Sequence, residues 1–136
     1  MKFNTYTIAS ADTSKPIHIY TEPGEDGLKY TILEDNSFIK WKVSIPEPGL
    51  YEVRFKARIS PKDRTARLYI NRKKHMLSIH YVGGWNKIRR YFILKKRINN
   101  IRLEFEERAV EIAGIDISQA PINISPELSP AGNIYY

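Results

Sequence analysis

The sequence predicts an all-β fold, a two-sheet sandwich or jelly roll of about nine or ten short strands. Three observations carry this reading. Apolar and polar residues alternate with a period of two, not 3.6, from near the start to about Ile117. Turn-forming residues break the alternation at intervals of roughly 8 to 12 residues, the spacing of sandwiches and barrels. Neither a helix of normal length nor an internal repeat is legible.

Phe3, Tyr6 and Ile8 predict a short first strand, followed by a turn-rich Ser10–Thr13–Ser14 segment. Pro16 opens a short strand over Ile17–Tyr20, and Glu22-Pro23-Gly24-Glu25-Asp26-Gly27 is a loop on turn chemistry alone. Leu28–Leu33 is the next strand. The clearest hairpin follows, with Ile39, Trp41 and Val43 on one face, a turn at Pro46-Glu47-Pro48-Gly49, and a return strand. That return strand puts Tyr51, Val53, Phe55, Ala57 and Ile59 inside and Glu52, Arg54, Lys56 and Arg58 in water. Ala66, Leu68 and Ile70 form another inward set, and Asn71-Arg72-Lys73-Lys74 turns the chain into Met76–Tyr81. Ile88 to Leu94 carries apolar residues on both faces and reads as a central strand. A turn at Arg97-Ile98-Asn99-Asn100 leads to Ile101, Leu103 and Phe105, and Val110–Ile117 closes the sandwich. Residues 1–119 therefore form a single module, and 120–136, with Pro121, Pro126 and Pro130, a tail or linker.

With 136 residues the chain is long enough for one sizeable core. Hydrophobic residues at 42% and charged residues at 27% are ordinary globular values. No run approaches the roughly 18 apolar residues of a membrane helix, and the amino terminus lacks the apolar region of a signal peptide. An excised module would be extracellular; a chain whose native start is Met1 would be cytoplasmic. Absence of cysteine removes disulfides, thiolate metal sites and cysteine nucleophiles together. The net charge of +7 and pI of 9.6 favour an anionic partner without choosing one.

Catalysis has little to stand on. His18, His75 and His80 lack metal-ligand spacing, and Ser78 and His80, two apart on one strand face, do not make a nucleophile and base. Glu104 and Glu106 fall on an exposed sheet face. No phosphate-binding glycine loop is present, and the clusters Arg72-Lys73-Lys74, Arg89-Arg90 and Lys95-Lys96-Arg97 match no nucleic-acid motif, so nucleic acid is a disfavoured partner. The chain reads as a non-enzyme.

The singular stretch is His80-Tyr81-Val82-Gly83-Gly84-Trp85-Asn86, which sets a large aromatic after two glycines between two strands. Paired glycines permit a tight turn with positive φ, which holds Trp85 at a loop tip as a ligand platform or folds it back as a plug over the core.

The order of pieces resembles the carbohydrate-binding modules of families six and thirty-five, galactose-binding-like jelly rolls. The resemblance lies in the Phe38–Val53 strand, proline-glycine turn and tyrosine-led return strand, in Tyr81-Val82-Gly83-Gly84-Trp85, and in Asn99–Leu103 followed by Gly114–Ile117. It covers roughly Leu28 to Ile117. It implies a non-catalytic lectin-like module, appended to a glycoside hydrolase or similar catalytic domain, that stacks a sugar on Trp85. Tyr30 is the candidate second aromatic wall, and Asn86 and Asp116 are candidate hydroxyl partners. The family's late-strand asparagine is replaced here by Ala113-Gly114. Its amino-terminal acidic pair, part of a structural calcium site, is not recognisable around Ile17–Tyr20. No cofactor is required and no metal ligand is assigned, although Asp116 or the Glu22–Asp26 loop could contribute to calcium binding. A glycan bearing negative charge would be favoured by the net charge. The alternative is a structural or protein-interaction β-sandwich accessory domain without a sugar site.

Overall fold

The computed structural model describes residues 4–24, 27–34, 36–59, 61–105, 110–120 and 134–135. The described residues form twelve strands: β1 Asn4–Thr7, β2 Asp12–Thr13, β3 Tyr20–Thr21, β4 Lys29–Leu33, β5 Phe38–Ile45, β6 Gly49–Arg58, β7 Arg64–Ile70, β8 Lys73–Ile79, β9 Asn86–Leu94, β10 Arg97–Phe105, β11 Val110–Gln119 and β12 Ile134–Tyr135. They form two sheets. One runs β2-β5-β10-β7-β8. The other runs β12-β9-β6-β11, after which β4 and β1 share the far edge of β11 and β3 adds to β4. Every pairing is antiparallel except β12 with β9.

The period-two pattern places the core as expected. Ile39, Trp41, Val43, Val53, Ala66, Leu68, Leu94 and Ile101 are fully buried between the sheets. Burying each such Val, Leu or Ile side chain stabilises by about 1.5–3 kcal/mol. The polar groups drawn into the core are partnered: Trp41 Nε1 donates to Thr7 O at 3.0 Å, and Tyr51 Oη donates to Glu47 O at 2.7 Å across the β5–β6 turn.

Several local expectations are corrected. Ile8 does not continue the first strand; it enters a 3-10 turn, Ile8–Ser10, that drops its side chain into the core. In the Ile17–Tyr20 segment only Tyr20 is strand. The turn predicted over 71–74 is limited to Asn71-Arg72, where Asn71 adopts φ +57°, and Lys73 already begins β8. The turn predicted over 97–100 lies at Lys95-Lys96 instead. Asn99, wholly buried, closes it by donating to Lys95 O at 2.8 Å and accepting from Lys95 N at 3.1 Å. Strand β9 lies between two neighbours, β6 along its length and β12 at Tyr91 and Phe92. Its second apolar face hides Tyr91 beside Glu52, a residue expected in water but 8% exposed. Tyr91 Oη donates to Glu52 Oε1 at 3.2 Å. Of the proline-containing tail, only 120 and 134–135 lie within the described residues, and 134–135 are strand. Glu106 lies outside the described residues.

Candidate functional site

The loop 80–85 leaves the β7–β8 hairpin and returns along β9. Gly83 takes φ +74°, a left-handed conformation that favours glycine, whereas Gly84 does not need positive φ. A clamp from the β6–β7 loop fixes it: Asp63 Oδ1 accepts from Tyr81 N at 2.9 Å, and Oδ2 lies 3.1 Å from His80 Nδ1. Donation from Tyr81 N–H, followed by the His80 ring, holds the Asp63 carboxyl below the usual carboxylate range. Asn86 Nδ2 donates to His80 O at 3.3 Å, bracing the base of the loop.

The register then delivers Trp85 to the outer face of the larger sheet. Asn86 lies opposite Ala57, so Trp85 falls beside Arg58. From the other side of β11 come Tyr30 on β4 and its register partner Tyr20 on β3. Tyr30 meets Trp85 edge to face, ring centroids 5.4 Å apart at 68°, and Tyr20 stacks on Tyr30 at 5.4 Å. The Arg58 guanidinium lies over both rings, 4.6 Å from the indole centroid and 5.4 Å from that of Tyr30. It is held by Glu111 in a two-point contact of 3.2 and 2.5 Å and by Glu22 at 2.8 Å. Donating to Glu111, then to Glu22, raises its proton affinity further above an already high value. Trp85 is half-buried, and its Nε1 has no hydrogen-bond partner among the described residues.

Two of the four sequence candidates, Trp85 and Tyr30, are therefore brought together from 55 residues apart. Their rings touch directly, whereas a sugar gripped between two facing rings needs roughly 7–8 Å, twice an ordinary carbon contact. The other two candidates point elsewhere. Asn86 lines a separate cavity with His80 and Arg90. Asp116 accepts from Thr5 Oγ1 at 2.8 Å and borders a neighbouring cavity of about 490 Å³ with Ala113, Gly114, Lys56 and Lys87. Sequence reasoning placed Arg58 in water, offered Glu22 only as part of a calcium-binding loop and did not single out Glu111. Only the register of β6, β11 and the β3–β4 pair sets them around the aromatics.

The absent asparagine also has a structural reason at one of its two positions. A β-bulge between Ile112 and Gly114 gives Gly114 φ +145°, and a Cβ there would sit 2.6 Å from Tyr6 O in β1. Of the calcium-loop candidates, Glu22 is engaged by Arg58, while Glu25 and Asp26 lie outside the described residues. Among the described residues no three His, Cys, Asp or Glu side chains converge, and no helix is long and apolar enough to cross a membrane.

No family model matches the sequence. No curated protein matches it. Solved structures do. A family 35 carbohydrate-binding module from Clostridium thermocellum is 19% identical, with a TM-score of 0.77 over 88% of this chain and 100% of that one. A family 35 module from Paenibacillus barcinonensis is 18% identical, with a TM-score of 0.74 over 86% and 99%. An exo-β-1,3-galactanase from Phanerochaete chrysosporium is 13% identical, with a TM-score of 0.74 over 87% of this chain but only 30% of that one. The chain has the β-sandwich fold of family 35 carbohydrate-binding modules.

Proposed function

We propose that this chain is a non-catalytic carbohydrate-binding module, an appendage of a glycoside hydrolase or similar enzyme, that takes a sugar against Trp85 on the outer face of the larger sheet. The observation that carries this reading is the Tyr20–Tyr30–Trp85 cluster, half-exposed and joined to a fixed guanidinium. A sugar presents an apolar face of C–H groups and a rim of hydroxyls. The exposed ring surfaces of Tyr20 and Trp85 exclude water from the first. The Glu22 and Glu111 carboxylates, held beside the rings by Arg58, accept from the second. Because Tyr30 and Trp85 touch, the sugar lies across the cluster and not between the two rings.

Covering about 100 Å² of apolar surface stabilises by roughly 2.5 kcal/mol. Ordering and desolvation offset part of it, which sets the expected affinity at about 10 μM to about 1 mM. The fold similarity supports both a free-standing module and one carried by an enzyme, since the galactanase chain contains this sandwich as under a third of its length.

The test is titration of a neutral and acidic glycan panel with indole emission as readout. Trp41 is wholly buried and hydrogen-bonded to Thr7, so a ligand-dependent change reports Trp85. Silence across the panel removes the function. Unchanged binding by Trp85→Ala removes the site.

A second reading, a surface that packs on a neighbouring protein domain, draws on Ile19, Tyr20 and Ile32. These keep 42%, 38% and 40% of their surface exposed along β3, β4 and the segment before them. Solubility at high concentration and glycan response together decide between the two.

A further inference from the structure

Strand β8 ends the smaller sheet and pairs only with β7 among the described residues. The two-residue turn Asn71-Arg72 sets which of its backbone groups are free. In such a hairpin the closing pair, Ile70–Lys73, exchanges backbone bonds, and the exchange repeats at Leu68–His75 and Ala66–Leu77. Lys74, Met76 and Ser78, which alternate with these, turn their N–H and C=O groups outward. A side-chain contact agrees with that phase: Ser78 O accepts from Arg90 Nη2, at a loose 3.4 Å. The three residues repeat at about 6.8 Å, the two-residue period of an extended chain. Met76, at the centre of the row, is 52% exposed.

The side of the sandwich that this edge borders is cationic. Lys74 stands on β8, and Lys87, Arg89 and Arg90 stand on β9. Ser78 from the first strand and Lys87, Arg89 and Arg90 from the second line a cavity of about 470 Å³. Arg90 is the informative residue. Its guanidinium donates to two neutral carbonyls, Arg89 O at 2.7 Å and Ser78 O at 3.4 Å, and no carboxylate pairs with it among the described residues. Its Nε is buried without a hydrogen-bond partner. A buried donor is ordinarily satisfied, and the planar fork of an arginine fits a carboxylate at two points. The acids nearby are committed elsewhere: Glu52 to Tyr91 and Arg89, and Asp63 to Tyr81 N and His80.

We infer that the β8 edge binds an extended acidic peptide segment of another protein, which adds to the five-stranded sheet as a sixth, antiparallel strand. Its backbone exchanges bonds with Lys74, Met76 and Ser78. Residues that make those bonds place their side chains on the outer face, against Met76, and the alternate residues turn carboxylates inward to Arg90. The two contacts are coupled at Ser78. A carboxylate that draws the guanidinium outward by its Nε–Nη2 edge satisfies Nε and releases Ser78 O to accept from the added strand. A second copy of this chain fits the edge poorly, because it brings Lys73 and Lys74 of both copies, and +7 on each, to one seam. A polysaccharide lacks amide donors and acceptors at the strand spacing that the edge presents.

Fluorescence anisotropy of a labelled, end-capped heptapeptide of alternating Glu and Val, titrated with the full chain at low salt, tests the inference. Saturable binding is expected. Arg90→Met should weaken it by about tenfold or more, the worth of a charge-assisted hydrogen bond. Met76→Pro removes the central donor of the edge; because that N–H faces away from β7, the strand should still form. Binding should then be lost while the melting temperature stays within about 4 °C of the parent. The same peptide N-methylated at its valines keeps its charge, loses its donors to the edge and should not bind, a control that needs no protein variant. Trp85→Ala should take the peptide as the parent does, so this inference and the carbohydrate reading fail separately. A parent that does not bind the peptide overturns the inference, as does equal binding of the methylated peptide or by Arg90→Met. Tighter binding of polygalacturonate with the same dependence on Arg90 and Met76 gives the edge to a polysaccharide and overturns it. A parent that sediments as a dimer, dissociated by Met76→Pro, gives the edge to a second copy and overturns it as well.

Discussion

Substituting Gly114 by alanine should separate the β1 strand from the sheet it completes. The added Cβ would sit 2.6 Å from Tyr6 O and 3.4 Å from the Thr7 Cα, where ordinary contacts begin at 3.4 Å. One backbone must therefore give by roughly 0.8 Å, the difference between those two distances. Holding a non-glycine residue at φ +145° costs about 1–3 kcal/mol. Moving β1 also strains its four-residue ladder to β11 and the Trp41 Nε1 bond to Thr7 O. One or two such bonds contribute about 0.5–1.5 kcal/mol each. The sum is about 1.5–6 kcal/mol, which for a domain of this size lowers Tm by roughly 5 °C or more. Thermal unfolding followed by circular dichroism measures it, with Trp41 emission reporting the loss of the indole bond. Gly84→Ala is the control, because its Cβ meets nothing within 4 Å and its φ is not positive. It should shift stability by less than about 0.5 kcal/mol. A Gly114→Ala protein melting within about 2 °C of the parent, or a Gly84→Ala protein falling as far, would refute the reasoning. The same contact explains why position 114 does not carry an asparagine while β1 covers β11.

Trp85→Ala should keep the fold, since Trp85 lies outside the central core, and should weaken sugar binding by at least about tenfold, from the apolar area withdrawn; calorimetric titration with the best panel glycan checks both. Arg58→Met leaves Glu22 and Glu111 facing each other without their shared cation. It should lower stability by roughly 1–3 kcal/mol in urea unfolding and change Trp85 emission before any ligand is added. Acid should destabilise the protein in two windows. Burial, aided by Lys73, lowers the His75 pKa, so the fold holds a neutral imidazole while the unfolded chain takes a proton; stability is lost as pH falls below about 6.5. His75→Phe, which can pack on Phe92 and cannot titrate, should flatten that step in melts run against pH. The depressed Asp63 carboxyl contributes above about pH 4, and its contribution is lost as pH falls through its folded value. Asp63→Asn should reproduce the resulting loosening of the Trp85 loop at neutral pH, read as faster acrylamide quenching of Trp85.

What the sequence by itself determined is the part governed by a period of two. Alternation in Ile39–Val43, Tyr51–Ile59 and Ile101–Phe105 fixed which faces are buried, because a one-residue slip would send every core side chain into water. The glycine pair and Trp85 announced a surface loop, since turn chemistry is local. Short segments were less legible: Ile8 and Ile17–Tyr20 are too brief for periodicity to locate strand ends, and Asn99 closes its turn through a buried amide that composition does not reveal. Tertiary structure alone decided the composition of the site. Trp85, in the loop just ahead of β9, and Tyr30 on β4 are separated in the larger sheet by β6 and β11, and Arg58, Glu22 and Glu111 join them only through long-range strand pairing. The same register turns Asn86 and Asp116 toward other cavities and lines up Lys40, Arg102, Tyr69 and Lys74 on the far face. Alternation along a strand states which way a side chain points. The strand that lies beside it is set by long-range pairing, and that pairing placed the charges around the aromatics.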